Sequence, residues 1–255
     1  MPMRVTYNMV KTEKFVYGNL KNNETFEGSV SFDELNSSKR PGILVCHAYG
    51  GHSDFEIKKS EELATLGYFA FAIDIYGQGK RGSNPQESLE LMHELNSDRA
   101  LLQSRMIHAH KTLCDFDLVD VSKTGAIGFC FGGKCAIDLA RAGEDISGVV
   151  SFHGLYDPPI AKPGQNLKGT TNIKSEILVL HGYDDPMATP KNMIDLADEL
   201  KSKNAKWQIH AYSKVGHAFT NPLANDQNAG LFYSEEADKH SWNEMKYFFD
   251  RIFSS

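Results

Sequence analysis

The chain has 255 residues, 41% of them apolar and 24% charged, with a formal charge of −6 at pH 7. That length suits a single domain, residues 1–255, with a substantial core, and the acidic balance argues against nucleic acid or an anionic membrane surface as a partner. The best apolar run, residues 68–73, has six residues, against the roughly 18 that cross a bilayer, so no membrane partner is expected. Residues 1–17 mix Arg4, Lys11, Glu13 and Lys14 with apolar positions and show no signal-peptide core. Cys46, Cys114, Cys130 and Cys135 sit inside apolar segments without C-x-x-C spacing, which reads as reduced thiols in a cytoplasm.

In chain order, residues 5–10, 14–17 and 25–32 partly alternate, with turns expected at Gly18-Asn19 and Asn22-Asn23; together they predict an N-terminal β-hairpin. Residues 36–40 read as a polar loop. Residues 43–46 form a continuous apolar strand of the buried parallel type, ending in His47-Ala48-Tyr49-Gly50-Gly51. A helix over 56–66, stopped by Gly67, leads to a second buried strand at 68–73. Asn84-Pro85 caps and opens a helix, and Asn96-Ser97-Asp98 divides it from a second one carrying the stripe Leu102, Met106, Ala109 and Leu113. Residues 126–129 are a short apolar strand and 132–141 an amphipathic helix. Strands follow at 148–154, 177–182 and 207–212. Thr189-Pro190 opens a helix, residues 157–172 form an aperiodic loop, and a last helix starts near Ser234. Alternating βα units imply an α/β fold with a mostly parallel central sheet flanked by helices.

Three stretches carry chemistry. Gly128-Phe129-Cys130-Phe131-Gly132 joins a strand directly to a helix, the pattern of a nucleophile elbow with cysteine in place of serine. A turn this sharp leaves no room for a Cβ on either side of its central residue. The helix N-terminus beneath that residue favours a thiolate or an oxyanion. Leu180-His181-Gly182-Tyr183-Asp184-Asp185-Pro186 sets a carboxylate at the end of a strand, with both Asp184 and Asp185 available; aspartates in a turn also serve local hydrogen bonding. Gly216-His217-Ala218-Phe219 follows the late strand. The order nucleophile, acid, histidine, with spacings of 55 and 32 residues from Cys130 to Asp185 to His217, is the α/β-hydrolase order.

The chain resembles the dienelactone hydrolase family of α/β-hydrolases over essentially its whole length. The likeness is carried by Gly128-Phe129-Cys130-Phe131-Gly132-Gly133, His181-Gly182-Tyr183-Asp184-Asp185-Pro186 and Gly216-His217-Ala218-Phe219, and is supported by Asp74-Ile75-Tyr76. The resemblance implies a triad of Cys130, Asp185 rather than Asp184, and His217. It also implies oxyanion donors at the backbone N–H groups of Phe131 and Ala48. Two positions depart from the family pattern. His47 stands where the founding enzymes carry a glutamate, and is expected to shape the oxyanion loop by hydrogen bonding. The arginines with which those enzymes grip a substrate carboxylate are missing: Thr220-Asn221 occupies one such stretch, and Lys80 and Arg81 are the candidates to replace it.

The expected reaction is attack of the Cys130 thiolate on an ester, lactone or thioester carbonyl, with His217 as base and Asp185 fixing its tautomer. An acyl-enzyme forms and water releases it. A thiolate leaves more readily than an alkoxide, which favours activated esters, enol-lactones and thioesters over amides. His47, Tyr49, Arg81, His153 and Phe219 are candidate substrate contacts, and Tyr156 and Phe232 further candidates for the pocket wall. No cofactor or metal is expected, and the partner is a small ester or lactone, acted on by a monomer or small homo-oligomer. Alternatives are acyl transfer or peptidase activity with the same triad, or a non-catalytic member that binds a ligand or senses oxidants through Cys130.

Overall fold

The computed structural model describes residues 9–19 and 24–254. Eight strands form one sheet in the order β1-β2-β4-β3-β5-β6-β7-β8, where β1 is Val10–Asn19, β2 Glu24–Asp33, β3 Arg40–Cys46, β4 Phe69–Ile73, β5 Val119–Phe129, β6 Gly148–Phe152, β7 Glu176–Gly182 and β8 Lys206–Tyr212. The β1–β2 and β2–β4 pairs are antiparallel, and every later neighbour is parallel. The expected α/β-hydrolase sheet, mostly parallel with an N-terminal hairpin, is what the chain forms.

Both faces of the parallel strands are covered, which is why those strands read as unbroken apolar runs. Leu44, Ala126, Ile177 and Val179 face one core, shared with α3 (Arg99–Cys114), α4 (Phe131–Arg141) and α5 (Pro190–Ser202). Their neighbours Ile43, Val45, Ile127, Leu178 and Leu180 face the other, shared with α1 (Asp54–Thr65) and α6 (Glu235–Phe253). The remaining helix, α2 (Pro85–Ser97), lies over the carboxyl ends of the strands, where its Leu89 and Met92 line a cleft.

The helix boundaries follow their caps. Asn84 accepts from Glu87 N–H with Pro85 at the first helical position, and Asp98 ends α2 while capping α3 through Leu101 N–H. The hairpin differs from expectation. A turn at Gly18-Asn19 does not form, because both residues pair with Thr25 and Glu24 and extend β1 into one ten-residue strand. Residues 5–8 and the expected Asn22-Asn23 turn lie outside the described residues. Arg40, read as loop, opens β3 with its guanidinium on the backbone carbonyl of Asp33. A small antiparallel pair, β9 (Asn225–Asp226) with β10 (Leu231–Phe232), was not apparent in the sequence.

Candidate active site

Cys130 sits between the end of β5 and the first turn of α4, at φ 54° and ψ −115°. Its neighbours explain the glycines. A Cβ on Gly128 would lie 2.0 Å from Gly132 O, one on Gly132 2.1 Å from Cys46 O, and one on Gly133 2.5 Å from Ser151 Oγ. The elbow therefore presses directly on β3 and β6, and only glycine lets the backbone approach so closely. Phe131 is the first residue of α4, so its N–H has no partner within the helix. His153 (φ 38°) and Ala218 (φ 59°) share the positive φ of Cys130. All three line the cleft; held strain of this kind concentrates at functional sites.

Asp185 follows β7 and is 2% exposed, while its neighbour Asp184 is exposed. Its Oδ1 accepts from the N–H groups of Met187 (2.8 Å) and Ala188 (3.1 Å), and its Oδ2 lies 2.7 Å from His217 Nδ1. The His217 backbone is fixed in turn by Gly230: its N–H donates to Gly230 O at 2.8 Å, and its C=O accepts from Phe232 N–H at 3.2 Å. The missed β9–β10 pair is thus the support of the histidine loop. His217 Nε2 is buried without a hydrogen-bond partner among the described residues. Burial opposes a charge on His217, but Cys130 and the Asp185 hydrogen bond outweigh it and push its pKa up to about 10. The Cys130–His217 pair is electrostatically coupled yet looser than a hydrogen bond, as such pairs often are before substrate tightens them.

The second backbone donor implied by the resemblance, Ala48 N–H, belongs to a loop clamped from several sides. Ile75 N–H donates to His47 Nε2 at 3.0 Å, which leaves the ring proton on Nδ1, 2.6 Å from Ala48 O. Tyr76 O–H donates to Tyr49 O at 2.7 Å. Asp74 holds the following turn through the N–H groups of Gly77 and Gly79. Glu56 Oε1 accepts from Ala48 N–H itself at 3.3 Å. Burial keeps His47 neutral, with its pKa lowered to about 4.

Cys130, His217 and Ala48 open on one cleft of about 950 Å³ at the carboxyl ends of the strands. Of the expected substrate contacts, Tyr49 and His153 line it, and three do not. His47 is fully buried behind the Ala48 loop. Phe219 is fully buried and packs its ring against His153, centroids 5.1 Å apart. Arg81 turns away to Glu27 O (2.9 Å) and Asp74 (3.5 Å). Tyr156 and Phe232 are also outside the lining; Tyr156 O–H pairs with His181 Nδ1 at 3.0 Å. His153 stays neutral: burial and the neighbouring His217 hold its pKa well below the usual range, and its Nε2 lies 2.8 Å from Thr220 Oγ1. Sequence reading missed Glu56, although Ser53-x-x-Glu56 is a capping-box signature that could have singled it out. No group of His, Cys, Asp and Glu among the described residues could hold a metal ion.

A strand-to-helix elbow followed in the chain by an acid loop and a histidine loop, on this sheet, defines an α/β-hydrolase. The family model described as the dienelactone hydrolase family matches residues 29–253, and the chain belongs to that family, as an ester or lactone hydrolase. An uncharacterised protein of Caenorhabditis elegans is 32% identical over 163 residues, 63% of this chain and 100% of that protein. Two solved structures superpose closely. The one named m3DLH has a TM-score of 0.87 and 31% identity, covering 95% of this chain and 98% of the other. A dienelactone hydrolase-like promiscuous phosphotriesterase from metagenomic libraries has a TM-score of 0.86, with 31% identity and the same coverage.

Proposed function

We propose that the protein hydrolyses small uncharged esters, lactones or thioesters through an acyl-enzyme on Cys130, with His217 and Asp185 completing the triad. The observation that carries this reading is the convergence of Cys130 at the elbow with the Asp185–His217 pair (2.7 Å) on one cleft. His217 takes the Cys130 proton as the sulfur attacks the carbonyl, and Asp185, 2.7 Å from Nδ1, holds the ring and favours the imidazolium that forms. The Phe131 and Ala48 N–H groups would bind the tetrahedral oxyanion, a contribution of roughly 2.7–4 kcal/mol per donor in known cases. His217 then protonates the leaving alcohol or thiol. Having given up that proton, the ring is again a base able to activate water for deacylation.

The substrate class follows from charge. Among the described residues, the cleft lining contains no Lys or Arg; its ionisable carboxylates are Glu56 and Asp226. Phe55, Leu89, Met92, Met187 and Leu223 supply apolar wall. A substrate carboxylate entering here would lose water without gaining an arginine fork, at a cost of a few kcal/mol, or roughly a hundredfold in kcat/KM. The protein is therefore not a specialised hydrolase of carboxylated dienelactones. kcat/KM for neutral lactones or aryl esters should equal or exceed that for carboxylated lactones, and Arg81→Ala should leave the neutral substrates nearly unaffected. A strong preference for the carboxylated lactone that is lost in Arg81→Ala would overturn this reading of the cleft.

A further inference from the structure

Glu56 is bound to the donor that the reaction needs. As the third residue of α1 it completes a capping box: its Oε2 accepts from Ser53 N–H (3.0 Å) and Ser53 O–H (2.6 Å). A capping box accounts for that oxygen and not for the other. Oε1 reaches across to the loop after β3 and takes the Ala48 N–H at 3.3 Å. The side chain is 2% exposed and lines the same cleft as Cys130.

We infer that Glu56 controls whether the Ala48 N–H is available to the substrate's developing oxyanion, closing that donor when ionised and releasing it when neutral. The inference rests on the proposed acyl-enzyme reaction. A carboxylate and an oxyanion compete for one N–H, and charge-assisted bonds of this kind are strong. Two negative charges on one donor in a water-poor site also repel. When Glu56 is neutral, its proton displaces one of the N–H donors that its oxygens accept. The Ser53 bonds are the shorter, so the Ala48 N–H is the donor released.

Burial pushes the Glu56 carboxyl up, and the Ser53 and Ala48 bonds pull it back. From β3 it meets the buried thiol of Cys46, which is raised by burial and, to a lesser degree, by Glu56. Cys130, His153, His217, Tyr49 and Asp226 line the same cleft, and Asp54 and Lys59 flank Glu56 on α1; the Lys59 ammonium is engaged by Glu62 and the Trp242 ring. While the acid is ionised, the enzyme works with one oxyanion donor engaged elsewhere.

The test compares Glu56→Gln with the unchanged protein on a neutral chromogenic aryl ester from about pH 4 to 8. Rates are normalised to the fraction of sites inactivated by a stoichiometric thiol-directed inhibitor that labels Cys130, so partial misfolding does not enter. Glutamine keeps its carbonyl oxygen on Ser53 N–H and turns its NH₂ toward Ala48, freeing that donor. We expect kcat to rise roughly three- to tenfold at pH values where Glu56 is ionised, KM to change little, and the advantage to vanish as the pH falls through the Glu56 carboxyl range. Glu56→Met, which removes every acceptor, should show the same loss of one ionisation. A kcat at or below that of the unchanged protein at every pH, with the pH profile keeping its shape in both variants, would show that Glu56 only props the loop. Undiminished turnover by Cys130→Ala would instead overturn the acyl-enzyme reading itself.

Discussion

Asp185 has two oxygens with different tasks, one holding its own turn through Met187 and Ala188, the other holding His217. An asparagine can keep the turn with its carbonyl oxygen, but then offers an NH₂ donor to Nδ1 and favours the wrong imidazole tautomer. Asp185→Asn should therefore lower kcat by up to ~10⁴ while leaving the fold intact. Asp184 is exposed and meets Val215 O only through its backbone N–H, so Asp184→Asn should have little effect. Steady-state kinetics on both folded variants decides; the reverse ranking would move the acid to Asp184. The choice between the two aspartates was open in the turn residues themselves, and only the family likeness separated them. The supports of the oxyanion loop were less legible still. His47 and Tyr76 act through contacts between loops distant in sequence, and no local pattern encodes such contacts.

The elbow helix α4 was legible because its glycines, apolar strand and amphipathic turn all agree. Its polar face was not. Asp138, fully buried, bonds Arg99 Nε (2.9 Å) from α3 and Arg141 Nη1 (3.0 Å) one turn on. Arg141 reaches Glu199 of α5, and Arg99 and Lys134 grip Asp157 in the loop after β6. These charges stand in a helical register that sequence alone reads as an ordinary solvated face. The cluster ties the Cys130 helix to two neighbours and to the aperiodic loop. Asp138→Asn would leave two buried guanidiniums short of a counter-charge. It should destabilise the protein by about 3–5 kcal/mol, read as a lower denaturant midpoint at unchanged slope. A shift of under about 1 kcal/mol would mean that Asp157 and Glu199 suffice as counter-charges for the two arginines.

Across the whole molecule, several imidazoles are buried neutral. Burial lowers His47 and His52 to about 4 and His153 well below its ordinary range. The unfolded chain binds protons at these sites near pH 6.5, and the folded chain does not. Their contribution to stability is present above about pH 6.5 and is lost as the pH falls towards about 4. His217, raised to about 10, works in the opposite sense: its contribution is present below about 6.5 and fades as the pH climbs to about 10. Denaturant midpoints should fall from about pH 7 to about pH 5; equal midpoints would contradict the burial of these rings as neutral groups. Attack by Cys130 is tested by the intact mass of the protein quenched during turnover of an activated aryl ester, with the adduct located by peptide mapping. We expect an acyl adduct on Cys130, absent in Cys130→Ala, which should also lose turnover, while Cys46→Ala, Cys114→Ala and Cys135→Ala still acquire it and lose less than about tenfold in rate. Undiminished turnover by Cys130→Ala, or an adduct on another residue, would contradict it.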